Sequence, residues 1–494
     1  MEYISTRGSK RVLTSSQAIM QGIADDGGLY MPREIPTLTK EEIKEMVPMT
    51  YSERAYVILK KYLDDYDDGF LKSVCKEAYG EDRFGKDPAP VVSVREKLSV
   101  MELWHGPTSA FKDMALQIMP LLLSEALKMN DEKRCANIVV ATSGDTGKAA
   151  LEGYKNVNGT KITVFYPQDG VSNMQKLQMA TQDGNNVNVC AINGNFDDAQ
   201  NAVKAIFMDE DIKNKINGYA FLSSANSINW GRLVPQIVYY VSGYCDLIKA
   251  EKIKLGDMIN VCVPTGNFGN IFAGYMAKCM GLPICSLICA SNTNNILSDF
   301  LKTGIYNRNR RFYTTMSPSM DILISSNLER LLYLICGCEE TAMYMKKLKE
   351  EGRYQIPLEK LRIINNTFWG GWCDEAKTAD TIKKSFNGYN YLSDTHTAVA
   401  LAVARDYMRS SSNERYMLAL STASPYKFPA NVYKAITGET VNDEFLALEL
   451  LEKHTKTEIP APIKELKNKE VIFTKTVEKE EMASEVLSFI EKPL

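Results

Sequence analysis

The chain has 494 residues, more than one hydrophobic core accommodates, so two or three packed units are expected. Its 45% hydrophobic and 24% charged residues are those of an ordinary soluble globular protein. Lys plus Arg number 58 against 61 Asp plus Glu, a net charge of only −3, which excludes the basic field of a nucleic-acid binder and leaves any anion to a local site.

The 11 cysteines are odd in number and argue against a complete disulfide framework; reduced thiols in a cytosol are the simpler reading. Cys336-Gly337-Cys338 and Cys285/Cys289 lack paired CxxC partners, and the 3 histidines (His105, His396, His454) are too few to complete metal sites, so no metal is expected. Met1 to Arg7 has no apolar h-region, and no run reaches the ~18 apolar residues of a membrane span. The expectation is a cytoplasmic protein without membrane partners.

Amphipathic stretches such as Lys40 to Met46 and Tyr51 to Tyr62 make the first part of the chain mostly helical. Lys86-Asp87-Pro88-Ala89-Pro90 breaks that pattern and marks a boundary. Beyond it, short apolar runs alternate with glycine turns and helical patterns. Strands are expected over Asn137 to Thr142, Lys161 to Tyr166, Val187 to Ile192, Met258 to Val263 and Arg415 to Leu420. Helices are expected from Lys148 to Tyr154, Asp197 to Phe207 and Ile271 to Met280. This alternation predicts parallel α/β layers, with ligands at the carboxyl ends of the strands. Lys453 to Lys469, charged and with two prolines, reads as a connector to an amphipathic helix around Glu480 to Ile490.

Four segments carry chemistry. In His105-Gly106-Pro107-Thr108-Ser109-Ala110-Phe111-Lys112-Asp113, a lysine follows a Gly-Pro turn and an aromatic just inside a helix start. Lys112 is either paired with Asp113 or another acid, or lies in a cleft where desolvation and cationic neighbours free its amine for Schiff-base chemistry. Thr142-Ser143-Gly144-Asp145-Thr146-Gly147-Lys148 is not a P-loop: Thr142 stands where its first glycine belongs and Ala149 follows the lysine. Its hydroxyls and bare N–H groups suit a carboxylate instead.

Asn226-Ser227-Ile228-Asn229-Trp230-Gly231-Arg232 offers amides, a hydroxyl and a guanidinium fork to a phosphate. Taken alone, a helix cap followed by a surface arginine accounts for it equally well. Gly266-Asn267-Phe268-Gly269-Asn270 lies where a strand meets a helix, so its backbone N–H groups and the helix dipole suit an anion. It lacks the GxGxxG spacing of a dinucleotide site, and on its own an ordinary βα turn is the simpler reading.

Together these segments resemble the threonine synthases, fold-type II pyridoxal-phosphate enzymes, in their longer bacterial and fungal branch. The likeness runs from Ser5-Thr6-Arg7-Gly8 and Gly22 to Pro32 through to Ser421-Thr422-Ala423-Ser424-Pro425-Tyr426-Lys427-Phe428. It implies an N-terminal unit over 1–88, a catalytic region over 89–440 with a smaller α/β domain inserted at about 130–235, and a connector and helix over 441–494. Lys112 would bind pyridoxal 5'-phosphate covalently and act as the moving acid-base. Gly266, Asn267, Phe268, Gly269 and Asn270 would cradle the cofactor phosphate, Thr422 would face the pyridine nitrogen, and Asp145 would lie near the 3'-oxygen. Ser143, Gly144, Asp145, Thr146 and Gly147 would hold the substrate carboxylate. Asn226, Ser227 and Arg232, helped by Thr146, would bind the substrate's phosphate. Ser424 replaces the family's usual histidine and Tyr426 its alanine, which puts any role of that histidine in doubt.

The implied activity is that of a carbon–oxygen lyase acting on a small molecule, O-phospho-L-homoserine, to give L-threonine and phosphate, as a monomer or homodimer. A phospho-lyase of the same fold giving a 2-oxo acid, and a catalytically silent binding homologue, are the rivals. Serine or threonine dehydratases share the fold but need no second phosphate cradle, so Arg232 weighs against them.

Overall fold

Strands that helices cover on both faces need no polar side, so they read as continuous apolar runs. Ile259–Pro264 and Met417–Ser421 are of this kind, buried at every position. In the computed structural model, which describes residues 1–142, 144–168, 171–411 and 414–492, they lie centrally in a six-stranded sheet. Its order is Phe368–Trp372, Ile284–Ser291, Ile259–Pro264, Met417–Ser421, Leu98–Glu102, Val91–Arg95. Neighbours run parallel except the last two, an antiparallel edge pair that the expected parallel layers did not include.

A second sheet holds Thr476–Glu478, Val187–Asn193, Thr160–Pro167, Cys135–Ala141 and Ala220–Ser223 in that order, all parallel. Its outer strand comes from far along the chain. Val477 and the helix Met482–Glu491 pack Met482, Val486 and Ile490 into one cluster with Val139, Phe165 and Ile192. Lys161 donates from Nζ to the carbonyls of Phe489 and Ile490, tying that helix down.

The N-terminal stretch contains the two expected helices with the expected bounds, Lys40–Met46 and Tyr51–Tyr62. Each starts on a Thr-x-x-Glu capping box, Thr39 with Glu42 and Thr50 with Glu53, which satisfies two orphan N–H groups at once. The strands Tyr3–Ser5 and Tyr30–Pro32 pair antiparallel beside them, an addition to the helical expectation. Arg54 is buried, and its Nη1 reaches Asp246 Oδ1 at 2.7 Å and Ser242 Oγ at 2.8 Å on the long helix Trp230–Lys249. That helix is buried along most of its length, so the N-terminal helices grip the middle of the molecule. Among the described residues, no helix is long and apolar enough to cross a membrane.

Helix Asp145–Tyr154 begins three positions before the expected Lys148 and packs against the short helix Asp113–Leu116. The approach is so close that a Cβ on Gly153 would lie 2.0 Å from the carbonyl oxygen of Leu116. Backbone cannot yield cheaply there. Gly153→Ala is expected to lower stability by about 1–3 kcal/mol, read as an earlier thermal melt by circular dichroism; an unchanged melt would contradict the close packing.

Candidate active site

The segments that carry chemistry all follow carboxyl ends of parallel strands. Gly144 to Thr146 follow Cys135–Ala141, and Asn226 and Ser227 follow Ala220–Ser223. Gly266 to Asn270 follow Ile259–Pro264, Thr422 follows Met417–Ser421, and Lys112 lies ten residues beyond Leu98–Glu102. In such sheets the helix N-termini and loops at these ends face one crevice.

Lys112 is buried at the N-cap of helix Asp113–Leu116. The preceding turn is pinned from the opposite segment: Phe111 N–H donates to Thr422 O at 2.8 Å and Ser424 N–H to Ser109 O at 3.0 Å. Ser109 adopts φ 56°, a left-handed conformation held by these contacts. Asp113 does not pair with the lysine. Its carboxylate accepts from Thr108 N–H at 2.8 Å and Thr108 Oγ1 at 2.7 Å, while burial pushes its pKa up to about 6. Lys112 Nζ lies instead 3.8 Å from Asp145 Oδ2 and 5.1 Å from the Phe111 ring centroid. Burial lowers its pKa to about 8; Asp145 acts against this, while the charges of Lys427 and Arg232 add to it.

Asp145 is where the two sheets' loops meet. It accepts from Lys427 Nζ at 2.8 Å, Gln175 Nε2 at 3.0 Å and Ser319 Oγ at 3.4 Å. Burial favours its neutral form, but the charges of Lys427 and Lys112 and these bonds outweigh it, holding the carboxyl well below the usual range. Gly144 beside it has φ 142°, and a Cβ there would sit 2.4 Å from the Gln175 amide. Ser319 is itself set by His396, whose Nε2 accepts from Ser319 N–H at 3.1 Å while Nδ1 bonds Asp394 at 2.9 Å.

The glycine loop turns through Phe268 at φ 63° into helix Gly269–Met280, whose N-terminus no side chain among the described residues caps. Gly269 and Asn270, expected in the loop, form the first helical turn. A Cβ on Gly266 would lie 2.7 Å from Ser319 O, so that backbone has no room for a side chain. Asn270 Oδ1 accepts from Tyr239 and Tyr240 at 2.8 and 2.7 Å, and its Nδ2 is buried without a hydrogen-bond partner among the described residues. Asn267 is exposed, and its carbonyl accepts from Asn327 Nδ2 at 2.9 Å.

The same Asn327 amide donates to Ser227 Oγ at 3.0 Å, joining this loop to the Asn226–Arg232 segment. Asn229 caps the long helix there, as a plain cap would, but Arg232 is not on the surface. Among the described residues its Nη1 donates to Ala225 O at 2.7 Å, its Nε has no partner, and no carboxylate pairs with it. Burial lowers its pKa to about 10. Arg330, also buried and held by carbonyls of Tyr30, Ser227 and Ile228, is lowered to about 9 by burial. Thr146 is half-buried on the first turn after Gly144, and Asn226 is exposed. Ser143 lies outside the described residues.

Sequence reasoning missed Lys427, Gln175, Ser319, Asn327 and Arg330 as site residues. Lys427 carried a signal, a lysine five residues past Thr422 in the segment quoted for the resemblance. Gln175 and Ser319 carried none, because only the fold brings their loops to Asp145.

Comparison with known proteins follows this geometry. The profile described as "Threonine synthase N terminus" matches residues 2–79, "Pyridoxal-phosphate dependent enzyme" residues 88–341, and "Threonine synthase, C-terminal" residues 397–487. The chain is 38% identical to the threonine synthase of Pseudomonas aeruginosa over 443 residues, 89% of this chain and 91% of that one. It belongs to the threonine synthase family. The PLP-bound threonine synthase of Brucella melitensis superposes with a TM-score of 0.88 at 37% identity, covering 100% of both chains. A "Threonine synthase-like 1" of Pongo abelii is 39% identical over 442 residues, 87% of this chain; the match spans 58% of that protein's length.

The residues present fit the family's cofactor. A buried amine with a lowered pKa suits its aldehyde, and a helix N-terminus without a side-chain cap, entered by a turn with no room for a side chain at Gly266 and followed by an Asn270 amide unpaired among the described residues, suits its phosphate. The Lys112 amine of the cofactor-free chain is expected to titrate near pH 8, well below the 10.5 of an ordinary lysine. Competitive acetylation followed by peptide mass spectrometry across pH 6 to 11 reads it. A midpoint above about 10 would mean the cleft does not desolvate the amine.

Proposed function

We propose that the protein is a threonine synthase, converting O-phospho-L-homoserine and water to L-threonine and phosphate with pyridoxal 5'-phosphate on Lys112. The observation that carries this reading is a pair of anion sites beside Lys112: a glycine-loop helix without a side-chain cap, and a buried arginine with no carboxylate partner among the described residues. A dehydratase acting on an unphosphorylated amino acid needs the first but not the second.

When bound, the cofactor supplies the electron sink that makes the substrate's Cα and Cβ protons removable. Gly266 to Asn270 would hold its phosphate, Lys112 its aldehyde carbon and Thr422 its ring nitrogen, with Asp145 near its 3'-oxygen. The loop Ser143 to Gly147 receives the substrate carboxylate. Lys112 Nζ, with a pKa of about 8, is close enough to neutrality to take a proton from Cα and return one, the balance general acid–base catalysis needs. Arg232, with Ser227, Asn226 and Thr146, binds the phosphate that leaves from Cγ and offsets its growing charge. The N-terminal segment packs along the long helix that begins at Trp230 and shields that end from water. The reading divides the chain into 1–88, a catalytic region over 89–440 with its insert, and 441–494, working in the cytoplasm as a monomer or homodimer.

Purified protein given O-phospho-L-homoserine is expected to release phosphate and L-threonine in equal amounts. Formation of a 2-oxo acid would identify a phospho-lyase, and no turnover a silent homologue. Borohydride should bleach the visible absorbance and leave the pyridoxyl group on Lys112; an adduct on another lysine overturns the site.

Arg232→Leu is expected to lower kcat/KM for the phosphorylated substrate by about ten- to a hundred-fold, the scale of a charge-assisted bond of ~1.5–3 kcal/mol. Cofactor absorbance should stay as it was. Loss of cofactor with substrate preference intact would show the two phosphate sites to be exchanged.

A further inference from the structure

Lys427 is fully buried in the turn Pro425–Lys427, and the proposed chemistry does not use it. Its Nζ lies 2.8 Å from Asp145 Oδ1 and donates to Thr108 O at 2.9 Å. Those two partners belong to different site segments: Asp145 to the helix start that follows Cys135–Ala141, Thr108 to the turn that carries Lys112. Thr422, five residues before Lys427, bonds the same turn through Phe111 N–H. One ammonium thus touches both walls of the crevice.

The charges facing Lys112 make this contact consequential. They are Asp145, Lys427, Arg232 and Asp113. Asp113 is engaged by Thr108, so Asp145 is the anion nearest the Lys112 amine. A lone aspartate 3.8 Å away would hold the lysine as an ammonium, unable to accept a proton or attack a carbonyl. Asp145 is not alone, because Lys427 sits a full ångström closer to it.

We infer that Lys427 is a positioning residue, whose ammonium holds the Asp145 carboxylate between itself and Lys112 and so leaves the Lys112 amine without a counter-ion of its own. It acts through Asp145 and reaches no reacting atom. The inference rests on Lys112 being the reacting amine, but its test reads the amine directly and is indifferent to which substrate is turned over.

The test uses the full-length chain freed of cofactor and the competitive acetylation of Lys112 already described. Lys427→Met is expected to raise the Lys112 midpoint by about one pH unit or more, because a like charge is removed and Asp145 is left to Lys112 alone. At a fixed pH below the midpoint, labelling of Lys112 then falls about tenfold per unit. Lys427→Arg, which restores the charge, should bring the midpoint back towards the natural one. Lys427→Gln keeps donors for Asp145 and Thr108 O without the charge, so it carries the test if the methionine variant does not fold. It too should shift the midpoint upward. A lowered thermal melt with the midpoint unmoved in Lys427→Gln means the residue only braces the two loops, and the inference is overturned. Mapping of the borohydride adduct to another lysine would sink the proposed function separately, whatever the Lys427 variants do.

Discussion

A cation taken out of water must find an anion or a ring of dipoles, and this requirement organises the crevice. Lys112, Lys427, Arg232 and Arg330 are all buried there. Asp145 is the carboxylate that two of them share, and the two arginines lean on backbone carbonyls. The site is therefore built with a surplus of positive charge and uncapped N–H groups. That surplus is local, since the overall charge of the protein is nearly balanced.

The scaffold makes that surplus tolerable by fixing each cation in place. Lys112 sits on a four-residue helix whose leading turn is bonded to the Thr422 strand end, and Gly153 brings the smaller domain's helix against its last carbonyl. Asn327 ties the glycine loop to Ser227, and Ser319 presses on Gly266 while its hydroxyl reaches Asp145. Position is bought by backbone contacts, so side chains are free to carry charge.

Much of this was legible in the sequence where local rules act alone. The amphipathic stretches Lys40 to Met46 and Tyr51 to Tyr62 matched helices to the residue, and the apolar runs around Val139 and Val261 matched buried strands. Helix starts at Asp145 and Gly269 were placed too late, because glycine and aspartate look like turn residues until a first helical turn recruits them. The antiparallel edge pair and Thr476–Glu478 were not foreseen, since an edge strand is defined by its partner more than by its own pattern. In the candidate site, the sequence singled out Lys112, the glycine loop and Arg232, and the structure buries Lys112 and Arg232. Gln175, Ser319 and Asn327 could not: each is an ordinary polar residue whose meaning comes from a neighbour more than a hundred positions away or on another loop.

The strand Thr476–Glu478 pairs with Val187–Asn193 and brings Val477, Met482 and Ile490 onto the apolar side of the smaller sheet. During synthesis, residues 135–223 leave the ribosome long before residues 476–491 do. Until then the edge at Val187–Asn193 stays open, with unpaired backbone groups and an uncovered apolar face. Until residue 476 emerges, the smaller sheet has neither its outer strand nor the helix that covers it. A ribosome that stalls before residue 476 would release a chain with Lys112, the glycine loop and Arg232 all present, and an adhesive edge where a finished sheet should be.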